Sequence, residues 1–87
     1  MRYKVNPYGS LGLWRTALTW RNKEWTKNLI RLIVDQGLEP RRSVHGFTVY
    51  ELCDLYRNRH GEYPVETTVR QILRKLERDK LIINIKE

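Results

Sequence analysis

The chain has 87 residues, one cysteine, and seventeen Lys and Arg against ten Asp and Glu, for a net charge of +7. Its length sets one small domain with a thin core, since such a chain buries only about 60–65% of its unfolded surface. A lone Cys53 excludes an internal disulfide framework and Cys/His zinc spacing, no apolar run approaches the ~18 residues of a membrane helix, and the hydrophobic and aromatic content is too high for disorder.

Residues 1–20 read as a basic amino-terminal arm with a short helical piece. Arg2, Lys4 and Arg15 lie there with no acid. Pro7, Gly9 and Gly12 break the first dozen residues into an arm or a short extended segment, and Leu13–Trp20 fits one or two helical turns. The start is basic but holds no continuous apolar stretch, so it is not a signal peptide. Together with a single free thiol, this suits a cytoplasmic setting.

Residues 21–87 read as the folded unit. The spacing of Trp25, Leu29, Leu32 and Ile33 predicts a helix over about 22–36, with Thr19 or Asn22 as cap. Gly37 is expected to stop it, and Pro40 to forbid continuation. Trp14, Trp20 and Trp25 are packing material around this helix. Glu39–Gly46 is expected as a polar loop carrying Arg41, Arg42 and His45.

A double start signal follows. Thr48 and Glu51 have the spacing of a capping box, and Phe47 and Leu52 that of a hydrophobic staple. The helix they open runs over 49–60, with Leu52, Leu55 and Tyr56 inward and Val49 and Cys53 beside them. His60-Gly61 ends it, glycine supplying a left-handed residue.

After a Glu62-Tyr63-Pro64 turn, Val65, Val69, Ile72, Leu73 and Leu76 mark a third helix over 65–79. Its outward residues are Thr67, Thr68, Arg70, Gln71, Arg74, Lys75 and Arg78. Arg70, Arg74 and Arg78 form a like-charged row at four-residue spacing, which opposes folding unless an anion meets it. Leu81-Ile82-Ile83-Asn84-Ile85 is short, branched and β-prone. A strand near 81–86 is expected to pair with Val44–Phe47 or with the amino-terminal arm. An unpaired edge there is sticky, and pairing with a second copy, a homodimer, would cover it.

Two amphipathic helices joined by a tight turn, the second bearing a basic stripe, are the pattern of a helix-turn-helix that meets duplex DNA. In that reading Thr67, Thr68, Arg70 and Gln71 approach base edges: Arg can bridge guanine, Gln adenine, and a threonine methyl can touch thymine. Lys75 and Arg78 meet phosphates. Arg41 and Arg42 supply a second phosphate contact, and Arg2 and Lys4 a contact from the arm. His45 and His60 have no ligand-like neighbours, so no metal is expected. There is no glycine-rich phosphate loop and no nucleophile–base set, so neither catalysis nor a cofactor is expected.

The run Phe47-Thr48…Leu52…Tyr56, His60-Gly61, then Val69-Arg70-Gln71-Ile72-Leu73-Arg74-Lys75-Leu76-Glu77-Arg78-Asp79-Lys80-Leu81-Ile82, resembles winged-helix domains. It is most similar to the carboxy-terminal winged helix of the Dam-replacing family of methyl-directed restriction endonucleases. The resemblance implies a mostly α, α+β fold: a winged helix-turn-helix with three helices and a short, truncated wing. It implies binding of double-stranded DNA through Thr67, Thr68, Arg70, Gln71 and Arg74. In that family a glycine usually stands where this chain has Lys80, and a glycine turn and second wing strand follow.

The function expected is therefore sequence-selective duplex DNA binding by a small transcriptional regulator of a phage, mobile element or microbe. The alternatives are a DNA-targeting accessory domain of a restriction or replication enzyme, and a protein-interaction winged helix.

Overall fold

The computed structural model describes residues 2–9, 12, 13, 15 and 24–85. Arg2-Tyr3-Lys4-Val5 alternates polar and apolar, and it forms a strand, β1 (Arg2–Val5), that buries Tyr3 and Val5 and turns Arg2 and Lys4 outward. β1 is the middle strand of a three-stranded antiparallel sheet. One neighbour is β2 (Phe47–Thr48), with Tyr3 opposite Phe47. The other is β3 (Ile82–Ile85), with Arg2 opposite Ile85 and Val5 opposite Ile82. Of the two readings of these residues, an arm or a short extended segment, the extended segment is the one that forms, and it holds the sheet together. Of the two partners expected for the last strand, the amino-terminal segment is the one used. The expected pairing with Val44–Phe47 does not form, because β1 lies between β3 and β2.

Gly12, Leu13 and Arg15 are helical; the next helix, α1, spans Glu24–Leu38, so the expected stop at Gly37 is corrected. A Cβ at Gly37 would sit 2.9 Å from Cβ of Val5. The glycine is needed for the close approach of β1 to the helix, not for a left-handed cap. Trp25 packs half-buried on the core. The expected caps Thr19 and Asn22, and Trp14 and Trp20, lie outside the described residues.

The expected polar loop is instead a short helix, α2 (Pro40–His45). Glu39 caps it, its carboxylate accepting from the N–H groups of Arg41 at 3.2 Å and Arg42 at 2.8 Å. Pro40 occupies the first turn, where a missing N–H removes no helical bond. It therefore starts a helix instead of only ending one.

Gly46 follows with φ 75° and ψ −165°, and a Cβ there would strike the Tyr3 carbonyl oxygen. No other residue type allows β2 to lie against β1 at this point. Helix α3 spans Val49–His60, as expected. The capping box forms: Thr48 Oγ1 accepts from the Glu51 N–H at 3.1 Å, and Glu51 Oε1 accepts from the Thr48 N–H at 3.1 Å. Phe47 and Leu52 are both fully buried. Gly61 closes the helix in the left-handed region at φ 80°.

Helix α4 spans Glu66–Arg78 and buries Val69, Ile72, Leu73 and Leu76. Val65 is its N-cap, has no side-chain cap bond and is 67% exposed; it is not the core residue its spacing suggests. At the other end Lys80 is left-handed, at φ 63°. The Lys80 N–H donates to the Glu77 carbonyl at 2.9 Å and the Leu81 N–H to the Leu76 carbonyl at 3.0 Å. This bond pair is the Schellman closure, whose left-handed position favours glycine. Leu81 packs on the core, and β3 begins at once.

The result is a mostly helical α+β fold, with the sheet and the α1, α3 and α4 helices sharing one apolar core. No helix among the described residues is long and apolar enough to cross a membrane.

Candidate nucleic-acid interface

Helix α4 sorts the expected contact residues by face. At about 3.6 residues per turn, Thr67, Gln71, Arg74 and Arg78 fall on one line opposite the buried side, and all four are exposed. Arg74 and Arg78 enter no ion pair among the described residues. Lys75 is also exposed, on the flank it shares with Thr68.

Thr68 departs from this group. It is half-buried and lines a hollow of about 180 Å³ with Trp25, Tyr56, Glu62, Tyr63, Pro64 and Val65, at the turn between α3 and α4. It lies on the flank of the helix that faces Trp25 of α1, not on the outward line.

Arg70 sits on the opposite flank, already held by protein. Its Nη2 donates to Glu66 Oε1 at 2.8 Å and to the Tyr50 hydroxyl at 3.3 Å. The guanidinium lies over the Tyr50 ring, 5.6 Å from its centre. The bond to Glu66 pushes the Arg70 guanidinium above its ordinary pKa, so it stays charged. The like-charged row is thus relieved at one end by Glu66, one turn earlier.

The residues expected on a loop and an arm come together. Arg2 of β1 and Arg41, Arg42 and His45 of α2 surround Glu51 of α3 in a surface hollow of about 300 Å³. Arg42 Nη1 pairs with Glu51 Oε2, and Arg2 Nη1 stands 3.6 Å from Glu51 Oε1. Three guanidiniums against one carboxylate leave a net positive hollow. Glu51 does two jobs here, since the same oxygen that faces Arg2 accepts the capping bond from Thr48.

Lys4 is half-buried on the outer face of the sheet, opposite Ile83. It does not join the hollow. The cluster neighbours α4: Tyr50, beside Glu51 on the first turn of α3, holds Arg70, one turn before Arg74. Tyr3 lies in the same neighbourhood. Burial chiefly raises its hydroxyl pKa, Glu77 adds to that, and Arg74 and Arg70 oppose it.

Tyr50 and the second role of Glu51 have no signal in the sequence. Neither spacing nor composition marks a tyrosine on a first helical turn as the seat for an arginine 20 residues away. The exposed His60 ring lies tilted beside Tyr56, with ring centres 4.6 Å apart. Among the described residues no group of three potential metal ligands occurs.

No family model matches the sequence, and no curated protein or solved structure matches it either.

Proposed function

We propose that the protein binds double-stranded DNA in a sequence-selective way, as a winged-helix-like module acting in transcriptional regulation in the cytoplasm. The observation that carries this reading is the continuous cationic band. It runs from Arg41, Arg42 and Arg2 around Glu51, past Tyr50 and Arg70, to the exposed line of Gln71, Arg74 and Arg78. Such a band has the electrostatic form of a polyanion footprint, and α4 has the size to enter a major groove.

In this proposal Gln71 and Arg74, with Thr67, face base edges. Arg78, Lys75, Arg41, Arg42 and Arg2 meet phosphates. Arg70 is a pre-set side chain, held by Glu66 and Tyr50, that reaches a base or phosphate by exchanging one of those partners. The resemblance to the Dam-replacing winged helix supports the same placement.

Duplex binding measured against salt tests the proposal. A protein neutralising roughly five phosphates loses about three orders of magnitude in affinity between about 50 and 200 mM salt. Affinity that stays flat over this range, or no binding at low salt, overturns it. The alternative of a protein-interaction surface is favoured by one observation, the prior engagement of Arg70 by protein groups. That reading predicts no salt-dependent duplex binding.

A further inference from the structure

The two edges of the sheet are treated differently. β2 is two residues long, and Arg2 and Thr48 face each other as a pair that does not exchange hydrogen bonds. The outward N–H of Thr48 is instead taken by Glu51 Oε1 at 3.1 Å. That edge is short and blocked. β3 is four residues long, contains no charge, proline or bulge, and pairs with β1 on one side only. No described strand covers its other side.

The register says which backbone groups are open. The Asn6 N–H donates to the Leu81 carbonyl at 3.1 Å, and these residues lie opposite each other by continuation of the Val5–Ile82 register. In an antiparallel pair, bonded and non-bonded positions alternate. Leu81, Ile83 and Ile85 therefore turn their N–H and C=O toward β1, and Ile82 and Asn84 turn theirs to the open edge. An open groove of about 420 Å³ lies along this edge, lined by Asn6, Glu77, Lys80, Ile82, Ile83 and Asn84. Ile83 is 38% exposed on the outer face.

We propose that the open edge of β3 pairs antiparallel with the same edge of a second copy, centred on Ile83. With Ile83 opposite Ile83 of the other copy, Ile82 of each chain faces Asn84 of its partner. All the outward N–H and C=O groups of β3 then find partners within the strand, with nothing required of Lys80 or of residues beyond Ile85. The two Ile83 side chains meet at a non-hydrogen-bonded position, where Cα atoms come closest, at about 4.5 Å, and they cover each other's apolar surface. The charge pattern permits it, because the strand is uncharged, the two charged residues lining the groove, Glu77 and Lys80, are of opposite sign, and Lys4 of each copy lies a strand further out. The two-fold axis stands perpendicular to the sheet and makes it six-stranded, with the helices of both copies on one side. This inference rests on the sheet alone and holds whether or not DNA is the ligand.

Sedimentation across a concentration series, combined with cysteine crosslinking of the full chain, tests it. Cys53 is fully buried and stays silent under mild oxidation. Ile83→Cys is expected to give a covalent dimer readily, and Asn84→Cys, which faces Ile82 across the axis, to give little. Asn84→Pro removes one outward N–H without touching the bonds to β1, and it is expected to sediment as a single chain. A native chain that remains monomeric at every concentration overturns the proposal. So does a dimer that crosslinks at position 84 and not at 83. A dimer that survives both Asn84→Pro and Ile83→Lys also overturns it. If Asn84→Pro does not fold, the crosslinking pattern decides. Because no DNA is present, failure here leaves the salt test of duplex binding untouched.

Discussion

Replacing Lys80 by glycine is expected to stabilise the fold. Lys80 is the one non-glycine residue with positive φ among those described, at 63°. Its conformation is imposed by the bonds that close α4, from its own N–H to Glu77 and from the Leu81 N–H to Leu76. A left-handed residue with a Cβ costs roughly 1–2 kcal/mol. Glycine removes that cost but gives the unfolded chain more freedom, worth about 0.4–1 kcal/mol. The net expectation is a gain of about 0.5–1 kcal/mol, or roughly 2–8 °C in Tm for a domain of this size. The Lys80 side chain is exposed, so no packing is lost. Its carbonyl, which accepts from Asn6 Nδ2 at 2.8 Å, is kept. Lys80→Ala is the control, since it removes the cation near the helix end but keeps the Cβ. Thermal melts followed by circular dichroism should place the glycine variant above both the alanine variant and the native chain. A glycine variant no more stable than the alanine variant would refute the reasoning, and with it the closure of α4 as described.

Other consequences are as specific. Thr48→Ala should lower stability by about 1 kcal/mol through loss of the capping bond to Glu51, and denaturant melts with an unchanged midpoint would contradict this. Glu51→Gln keeps a capping-box acceptor but releases Arg42 and Arg2 from a carboxylate; duplex affinity at low salt should rise and its salt dependence steepen. Under the DNA proposal Arg74→Ala should relax base preference and cost about 1–3 kcal/mol at its cognate position, whereas Lys75→Ala should weaken all duplexes alike. Equal losses across all sequences for Arg74→Ala would remove it from the base-reading set. Cys53 is buried, and burial is the first cause raising its thiol above the ordinary 9.0. Thiol reagents should therefore modify it only as fast as the structure opens, and prompt labelling of native protein would show otherwise.

The helical half of the fold was legible because its signals are local. The Thr48…Glu51 box, the Phe47–Leu52 staple and Gly61 act within a few residues of where they stand, and α3 lies where they place it. The failures occur where a long-range contact chose between local options. Gly37 reads as a stop by its chemistry, yet it lies inside α1 because Val5 packs against it. Pro40 reads as a terminator, yet Glu39 makes it the start of α2. The four residues of β1 are too few for their alternation to stand out beside Pro7 and Gly9, and only their partners, some 45 and 80 residues on, make them a strand.

The candidate site divides in the same way. The exposed line of Gln71, Arg74 and Arg78 follows from helical spacing alone. Thr68 lies half-buried one position of rotation from that line, on the flank that faces Trp25, and only the packed fold shows this. The convergence of Arg2, Arg41 and Arg42 on Glu51 depends on the tertiary fold and has no local sign.

The placement of β1 between its two partners has a bearing on synthesis. The strand is made some 80 residues before β3, so Tyr3 can meet Phe47 and Val5 can meet α1 while the side of β1 that faces β3 still waits for its partner. Helices α1, α3 and α4 can form and β1 can pair with β2 during that interval, but the ladder to β3 cannot close before translation reaches Ile85. Closing such a distant pairing is slow, and any nascent chain halted short of β3 would leave the central strand with one of its two neighbours missing.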